Sequence, residues 1–474
     1  MQAQRREFTP TLRHTFKRSM RTYEILIVLA DVGSLGAFIW RPSRLSGFAA
    51  VGLLLVLIHL FLEKSRWQMI PAYAASFAIG VCALAGIASS YRINIVASAL
   101  AVVMLLASVV LGVVLPVFSL PKASGPYAIG TAAREWIRDD SIRESGESAQ
   151  RKLTVQFWYP AQLAAGKRSP YRAEPAQGLK SYLRLVPTHS FVNAPVLLSV
   201  EKHPVVLFSP GWKGHLTQNS VQFEMLASHG FVVVSVEHPA AKKLPADFDP
   251  SLQENLEEYP LEARLRAKDV SFVIDQLERI NHADPEDLVT ARLDMSRIGM
   301  FGYSFGGAVT TEACWLDDRL KAGINMDGML FGEAADAGVT QPFFFMSCDG
   351  PLPTEIDLQC PDLRKRLHMQ MLDLDIRRIR QSLARYGGYY LTIRGSAHSN
   401  FSDRPLYSPL RRFTDAGSIE VKRAFEIIND YTLAFFDQYL NGKRQDLLEQ
   451  TSRRYPEADF ERYPVPIFIS AELA

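Results

Sequence analysis

The sequence is poor in cysteine: four residues in 474, Cys82, Cys314, Cys348 and Cys360. They are too few and too scattered for a disulfide framework or a zinc site. Unpaired thiols are the expected state, with a single Cys348–Cys360 bridge as the alternative. No one sign of charge dominates: 52 Lys+Arg stand against 50 Asp+Glu, a net +2, which gives no support to nucleic-acid binding. Internal repeats and low-complexity tracts are missing, and a hydrophobic content of 48% excludes wholesale disorder. The length exceeds one ordinary core and implies two or three folding units. The sharpest shortage is local. From Glu24 to Pro121 only eight residues are charged: Glu24, Asp31, Arg41, Arg44, Glu63, Lys64, Arg66 and Arg92. An apolar front is therefore joined to a body of ordinary soluble composition.

Uncharged stretches in that front are long: 18 residues between Arg44 and Glu63, 25 between Arg66 and Arg92, and 29 between Arg92 and Lys122. As a helix, each reaches across about 30 Å of hydrocarbon, and in lipid only a helix satisfies such a backbone. Ile25–Trp40 is a shorter fourth candidate. Asp31 near its middle is costly at bilayer depth, while Tyr23 and Trp40 bracket it as interfacial anchors. The spacing predicts an all-α transmembrane bundle of four helices (three if Ile25–Trp40 does not cross) over 24–41, 45–62, 69–90 and 93–119. A cleaved signal peptide fits badly, because one apolar run would suffice for that. The tail 1–23 carries Arg5, Arg6, Arg13, Lys17, Arg18 and Arg21 against Glu7, which marks it as cytoplasmic. Four spans return the body to the cytoplasm, and three leave it outside. The interfacial anchors favour four.

From Pro121 to Ala474 the pattern is that of a single α/β domain. Apolar runs at Leu153–Tyr159, Val205–Phe208, Phe231–Val236, Arg297–Phe301, Ala322–Met326, Phe343–Ser347 and Tyr389–Ile393 read as strands buried on both faces of a mostly parallel sheet. Helical periodicity occupies Gln218–Ser228, Leu261–Arg279, Gly306–Trp315, Leu363–Arg385 and Val421–Leu440. The alternation predicts a doubly wound sheet. Leu163–Val200 and Pro239–Pro260 read as loop-rich insertions, of the kind that roof a ligand crevice.

The chemistry gathers at strand ends. Gly302-Tyr303-Ser304-Phe305-Gly306 links an apolar strand to a helix, the context of a nucleophile elbow. Sterics explain its composition: the serine sits on a sharp turn, so the positions two before and two after it must be small. The turn lifts Ser304 Oγ clear of the sheet and directs the Phe305 N–H at a developing oxyanion. A second donor belongs in the loop after an early strand. Ser209-Pro210-Gly211-Trp212-Lys213-Gly214 follows Val205–Phe208, and the Trp212 N–H is the candidate.

A serine nucleophile needs a base, and the base an orienting carboxylate. In this chain order the base comes last. His368 lies inside a polar helix, whereas His398 follows the late strand Tyr389–Ile393 and is the candidate base. Asp327 and Asp349 each end a strand, and either could serve as the acid. Asp317 and Asp318 read as solvated. His238 precedes Ser304 in the chain and reads as structural.

Gly302-Tyr303-Ser304-Phe305-Gly306-Gly307, the strand end Asn325-Met326-Asp327, and the run Leu391-Thr392-Ile393-Arg394-Gly395-Ser396-Ala397-His398-Ser399-Asn400-Phe401 resemble the plasma-type platelet-activating factor acetylhydrolases. So do Ala227-Ser228-His229-Gly230-Phe231 with Val236-Glu237-His238, and Gly125-Pro126-Tyr127-Ala128-Ile129-Gly130-Thr131. The resemblance covers residues 121–440. It implies an α/β-hydrolase fold and a calcium-independent serine esterase that prefers phospholipids with a short or oxidised sn-2 acyl chain. It also maps the acid onto Asp327 and the second oxyanion donor onto Trp212. Two features depart from the family: Ser209-Pro210-Gly211-Trp212 stands where Ser-His-Gly before the donor is common, and secreted members lack the apolar front. The combined expectation is a membrane-anchored serine ester hydrolase that uses Ser304, His398 and Asp327, with Phe305 and Trp212 as oxyanion donors. Its expected partners are a lipid or small ester substrate and the bilayer, with no nucleic acid. The reaction calls for no metal or organic cofactor. A general carboxylesterase for soluble esters, or a non-catalytic membrane ligand-binding protein, are the alternatives.

Overall fold

The computed structural model describes residues 20–40, 45–84, 91–140, 149–164, 166–172, 178–199, 201–239, 253–286 and 288–466. The basic residues Arg5 to Arg18 and most of the 239–260 insertion lie outside the described residues. The chain divides into two compact units. One comprises Met1–Leu120, Pro170–Thr188 and Leu406–Thr414; the other comprises Pro121–Ser169, His189–Pro405 and Asp415–Ala474.

The first unit holds helices α1 (Thr22–Trp40), α2 (Leu45–Leu62), α3 (Ile70–Leu84) and α4 (Tyr91–Val114). Ile27, Ala49, Met69, Ala72, Ala75, Ile79, Ala101 and Leu105 form their shared core. Four of these eight are alanines, which let the helices approach closely: a Cβ on Gly80 would lie 2.8 Å from Leu53 Cδ1. Asp31 faces a neighbouring helix and accepts a 2.6 Å hydrogen bond from Ser76 Oγ. Arg66 grips the buried Glu24 with two bonds of 2.7 and 2.6 Å. Two returning segments join this unit. Phe118 packs against Tyr171 and Tyr407, and Trp67 Nε1 donates to the Leu179 carbonyl. All four expected helices therefore form. By length and composition, however, only Ile95–Val114 among the described residues is a candidate span, at 20 residues and mean hydropathy 2.7; Gly47–Leu62 and Trp67–Ala83 are apolar but shorter.

The second unit is built on a mixed sheet. Its strands are β1 (Ala128–Asp140), β2 (Ala149–Ala161), β3 (Arg168–Pro170), β4 (Pro187–Val192), β5 (His203–Ser209), β6 (Val232–Glu237), β7 (Leu293–Tyr303), β8 (Leu320–Met326), β9 (Phe343–Cys348), β10 (Gly388–Ile393) and β11 (Ala458–Tyr463). The order is β11-β10-β9-β8-β7-β5-β6-β2-β1-β4-β3. From β6 through β10 all neighbours are parallel, while β2 pairs antiparallel with both β1 and β6 and β11 pairs antiparallel with β10. Every expected strand is present. β1, β3, β4 and β11 were not foreseen. β1 mixes Arg134, Glu135, Arg138, Asp139 and Asp140 into its pattern, and becomes a strand by pairing along its whole length with β2, Ala128 opposite Ala161 through Asp140 opposite Ala149.

Alternate residues of the central strands feed two cores, as a pleat with period two requires. Val205, Leu207, Ile298 and Met300 pack under α6 (Gln253–His282) and α7 (Phe305–Leu316). Val206, Phe208 and Phe301 pack under α5 (Ser220–Ser228) and, near the chain's end, the long helix Val421–Asn441. Short helices α8 (Ala334–Ala337) and α9 (Glu355–Leu358) precede α10 (Leu363–Tyr386). The largest boundary difference from expectation is in α6, which starts at Gln253 rather than Leu261, with Pro260 inside it. Proline removes a helical hydrogen bond, but buried Tyr259, Ala263, Ala267 and Val270 hold the turn against the sheet.

Candidate active site

β7 ends at Tyr303, and α7 begins at Phe305. Between them Ser304 adopts φ 56°, ψ −124°, a strained conformation for a residue with a side chain. Its neighbours hold it there. Ser304 N–H donates to the Met326 carbonyl at 2.9 Å, and the Ser304 carbonyl accepts from Gly307 N–H at 2.8 Å. The elbow glycines are required by contact. A Cβ on Gly302 would lie 1.9 Å from the Gly306 carbonyl oxygen, and one on Gly306 would lie 1.9 Å from that of Ser209.

Asp327 follows β8 and also has a positive φ, 55°. Asn325 pins this turn by accepting from Gly328 N–H at 2.8 Å. One Asp327 oxygen accepts from Cys348 N–H at 2.7 Å, and the other lies 2.6 Å from His398 Nδ1. His398 Nε2 lies 2.9 Å from Ser304 Oγ. Burial pushes the Asp327 carboxyl up, but the bond and charge of His398, with the Cys348 N–H, outweigh it and hold the group below the ordinary carboxylate range. An ionised Asp327 selects the tautomer with the proton on Nδ1, leaving Nε2 to accept from the serine hydroxyl. The imidazole leans on the Tyr303 ring, centroids 4.9 Å apart. Asn400 Oδ1 accepts from Ala397 and Gly417 N–H and so fixes the loop that carries it.

The rival residues go elsewhere. Asp349 turns its carboxylate to Gly395 N–H at 2.7 Å and closes a loop. His368 is exposed on α10. Asp318 is exposed, but Asp317 departs from the solvated reading: it is buried and bonded to Arg319 at 2.9 and 2.8 Å. All four cysteines are unpaired.

Phe305 opens α7 directly after the serine. The Trp212 loop runs alongside: a Cβ on Gly211 would lie 3.1 Å from Ser304 Cβ. Trp212 and Phe305 rings meet edge to face, centroids 5.0 Å apart. Behind this loop lies a buried polar cluster of Ser209, His238, Asp269, Arg138 and Arg151. Its only sequence signals were Glu237-His238-Pro239 at a strand end and the helical spacing of Glu262, Arg266 and Asp269. Neither predicts where the side chains meet.

The family model described as platelet-activating factor acetylhydrolase, isoform II, matches residues 114–258 and 264–451. A platelet-activating factor acetylhydrolase from Cavia porcellus is 26% identical over 359 residues, spanning 68% of this chain and 78% of the relative. A probable 1-alkyl-2-acetylglycerophosphocholine esterase from Arthroderma benhamiae is 28% identical over 279 residues, spanning 54% of this chain and 66% of the relative. Among solved structures, a ferulic acid esterase from Streptomyces cinnamoneus superposes with a TM-score of 0.54 at 25% identity, covering 72% of this chain and 98% of the esterase. The sheet order, the elbow and these likenesses agree on an α/β-hydrolase. The chain belongs to the platelet-activating factor acetylhydrolase, isoform II, family and is a serine ester hydrolase.

Proposed function

We propose that this enzyme removes short or oxidised acyl chains from phospholipids through an acyl-enzyme formed on Ser304. His398 takes the serine proton as Oγ attacks the ester carbonyl, then returns it to the leaving alcohol. Asp327 holds the imidazole tautomer and stabilises the imidazolium. Water, activated by the same histidine, releases the acid. The N–H groups of Phe305 and Trp212 stabilise the oxyanion, and loss of one such donor costs about 2.7–4 kcal/mol in a comparable site. The observation that carries this reading is the bond sequence Asp327–His398–Ser304, at 2.6 and 2.9 Å. The phospholipid substrate class rests on the names of the relatives. The test is labelling with a fluorophosphonate probe, followed by assay of phosphatidylcholines carrying sn-2 acetyl, oxidised or long acyl chains. Modification of wild type but not of Ser304→Ala, with turnover of the short and oxidised chains, supports the proposal. Preference for soluble esters would reassign the enzyme as a general carboxylesterase.

We also propose that the helical part of the first unit, residues 24–120, is a membrane anchor of several spans and that residues 121–474 carry the hydrolase. Its helices turn large apolar side chains outward: Leu29 is 60% exposed, Phe61 83%, Phe77 67% and Val96 69%. Water penalises such surfaces and hydrocarbon does not. Polar residues meanwhile turn inward and pair, as Asp31 does with Ser76 and Glu24 with Arg66.

A further inference from the structure

Ser209 is the last residue of β5, just before Pro210-Gly211-Trp212. Its Oγ lies 3.1 Å from His238 Nε2, and His238 Nδ1 lies 2.9 Å from Asp269 Oδ2 on α6. Asp269 is fully buried and also accepts from Arg151 at 3.0 and 2.7 Å and pairs with Arg138 at 2.9 Å. The molecule thus contains a second Ser–His–Asp sequence of bonds. This one cannot act as a nucleophile, because Ser209 is 0% exposed and the His238 side chain 1%.

Burial pushes the His238 imidazole down to about 4, against the upward pull of Asp269. Burial pushes Asp269 up, but His238 and Arg151 outweigh it and hold the carboxylate ionised. The neutral ring therefore donates from Nδ1 and accepts at Nε2, so Ser209 Oγ is the donor. That fixes the rotamer of the residue on which the Trp212 loop hinges. The Ser209 backbone meanwhile presses on the first turn of α7 at Gly306.

The same helix face reaches the loop from its other side. Glu262, Arg266 and Asp269 recur at positions i, i+4 and i+7 of α6, one above another. Glu262 Oε1 accepts from Arg266 Nε at 2.7 Å. The guanidinium carbon lies 5.3 Å from the Trp212 ring centre and 5.0 Å from that of Phe305, within cation–π range. The two residues whose N–H groups face the oxyanion in the proposed mechanism are thus joined through their side chains to one buried cation. Buried ion clusters of this kind add little net stability compared with apolar packing, which favours a geometric role.

We propose that Ser209, His238, Asp269 and Arg266 are positioning residues that hold the Trp212 loop at the distance from Phe305 needed for a two-donor oxyanion hole. This rests on the acyl-enzyme reading above. A loop misplaced by about 1 Å costs roughly 100-fold in rate, and substrate binding away from the reacting carbonyl is untouched.

Ser209→Ala and Arg266→Met test it on the full-length detergent-solubilised protein. The readouts are kcat and KM for p-nitrophenyl acetate, the inhibition constant of a trifluoromethyl ketone that forms a tetrahedral oxyanion adduct, and Tm. The expected result is a fall in kcat of roughly 10- to 100-fold, KM within threefold, and ketone affinity lost in proportion to kcat. Arg266→Lys, which keeps the cation, should recover part of both. A lower Tm with kcat and ketone affinity unchanged per folded molecule overturns the proposal and leaves the cluster a structural one. If Arg266→Met does not fold, Ser209→Ala, which loses a single oxygen, decides alone. Failure of the underlying reading looks different: wild type itself would neither hydrolyse the ester nor be labelled at Ser304.

Discussion

Ser304 and His398 lie 94 residues apart in the chain, yet Oγ and Nε2 are 2.9 Å apart. Parallel strands bring this about. β7 and β10 each deliver a loop from the same edge of the sheet, and β8 and β9 fill the space between them. β8 supplies Asp327 at its end, and the Cys348 N–H at the end of β9 steadies it.

The first prediction concerns the acid. Asp327→Asn removes the charge that selects the His398 tautomer, and kcat should fall by on the order of 10⁴-fold. Asp349→Asn keeps an acceptor for Gly395 N–H and should stay within threefold of wild type. Steady-state kinetics of both variants check this; near-normal turnover in Asp327→Asn would falsify the assignment.

The second concerns the elbow. Gly302→Ala drives a Cβ into the Gly306 carbonyl at 1.9 Å, whereas a Cβ on Gly350 meets nothing closer than Cys348 Sγ at 4.0 Å. Gly302→Ala should destabilise the hydrolase unit by at least about 3 kcal/mol, and Gly350→Ala by less than about 0.5 kcal/mol. Thermal unfolding distinguishes them, and equal Tm values would contradict the packing described.

The third concerns pH. Asp375 on α10 is buried and accepts a 2.7 Å bond from Leu330 N–H. Burial pushes its carboxyl from the ordinary 3.8 up to about 7, despite that bond and Arg378. Between those values the folded chain keeps a proton that the unfolded chain has released. This contribution to stability is present in full below the lower value and declines as pH rises towards the upper one. Asp375→Asn retains an acceptor and removes the titration. Its Tm should therefore fall less than that of wild type between pH 5 and pH 8; parallel profiles would refute the assignment.

The fourth concerns the apolar front. The full-length protein should sediment with membranes, stay there through an alkaline carbonate wash, and be released by detergent. Release by carbonate alone would make these helices a soluble core.

Much of this was legible in the residues themselves, because the relevant physics is local. Continuous apolar runs such as Val205–Phe208, short and rich in β-branched and aromatic residues, read as strands covered on both sides, and a serine between glycines at a strand-to-helix turn is a steric statement about neighbours in sequence. The four apolar helices followed from the scarcity of charge. Tertiary pairing decided the rest. β1 carries too many charges to read as a strand until β2 supplies its partner. Asp327 and Asp349 could not be separated by spacing alone, since each ends a strand; only the folded loops turn one carboxylate to His398 and the other to Gly395. The union of Ser209, His238, Asp269 and Arg266 behind Trp212 left only the helical spacing of Arg266 and Asp269 and a histidine at a strand end, neither of which says that the side chains meet. Composition and periodicity record what a residue does to its own segment, while a contact between distant segments exists only once the sheet has set their spacing.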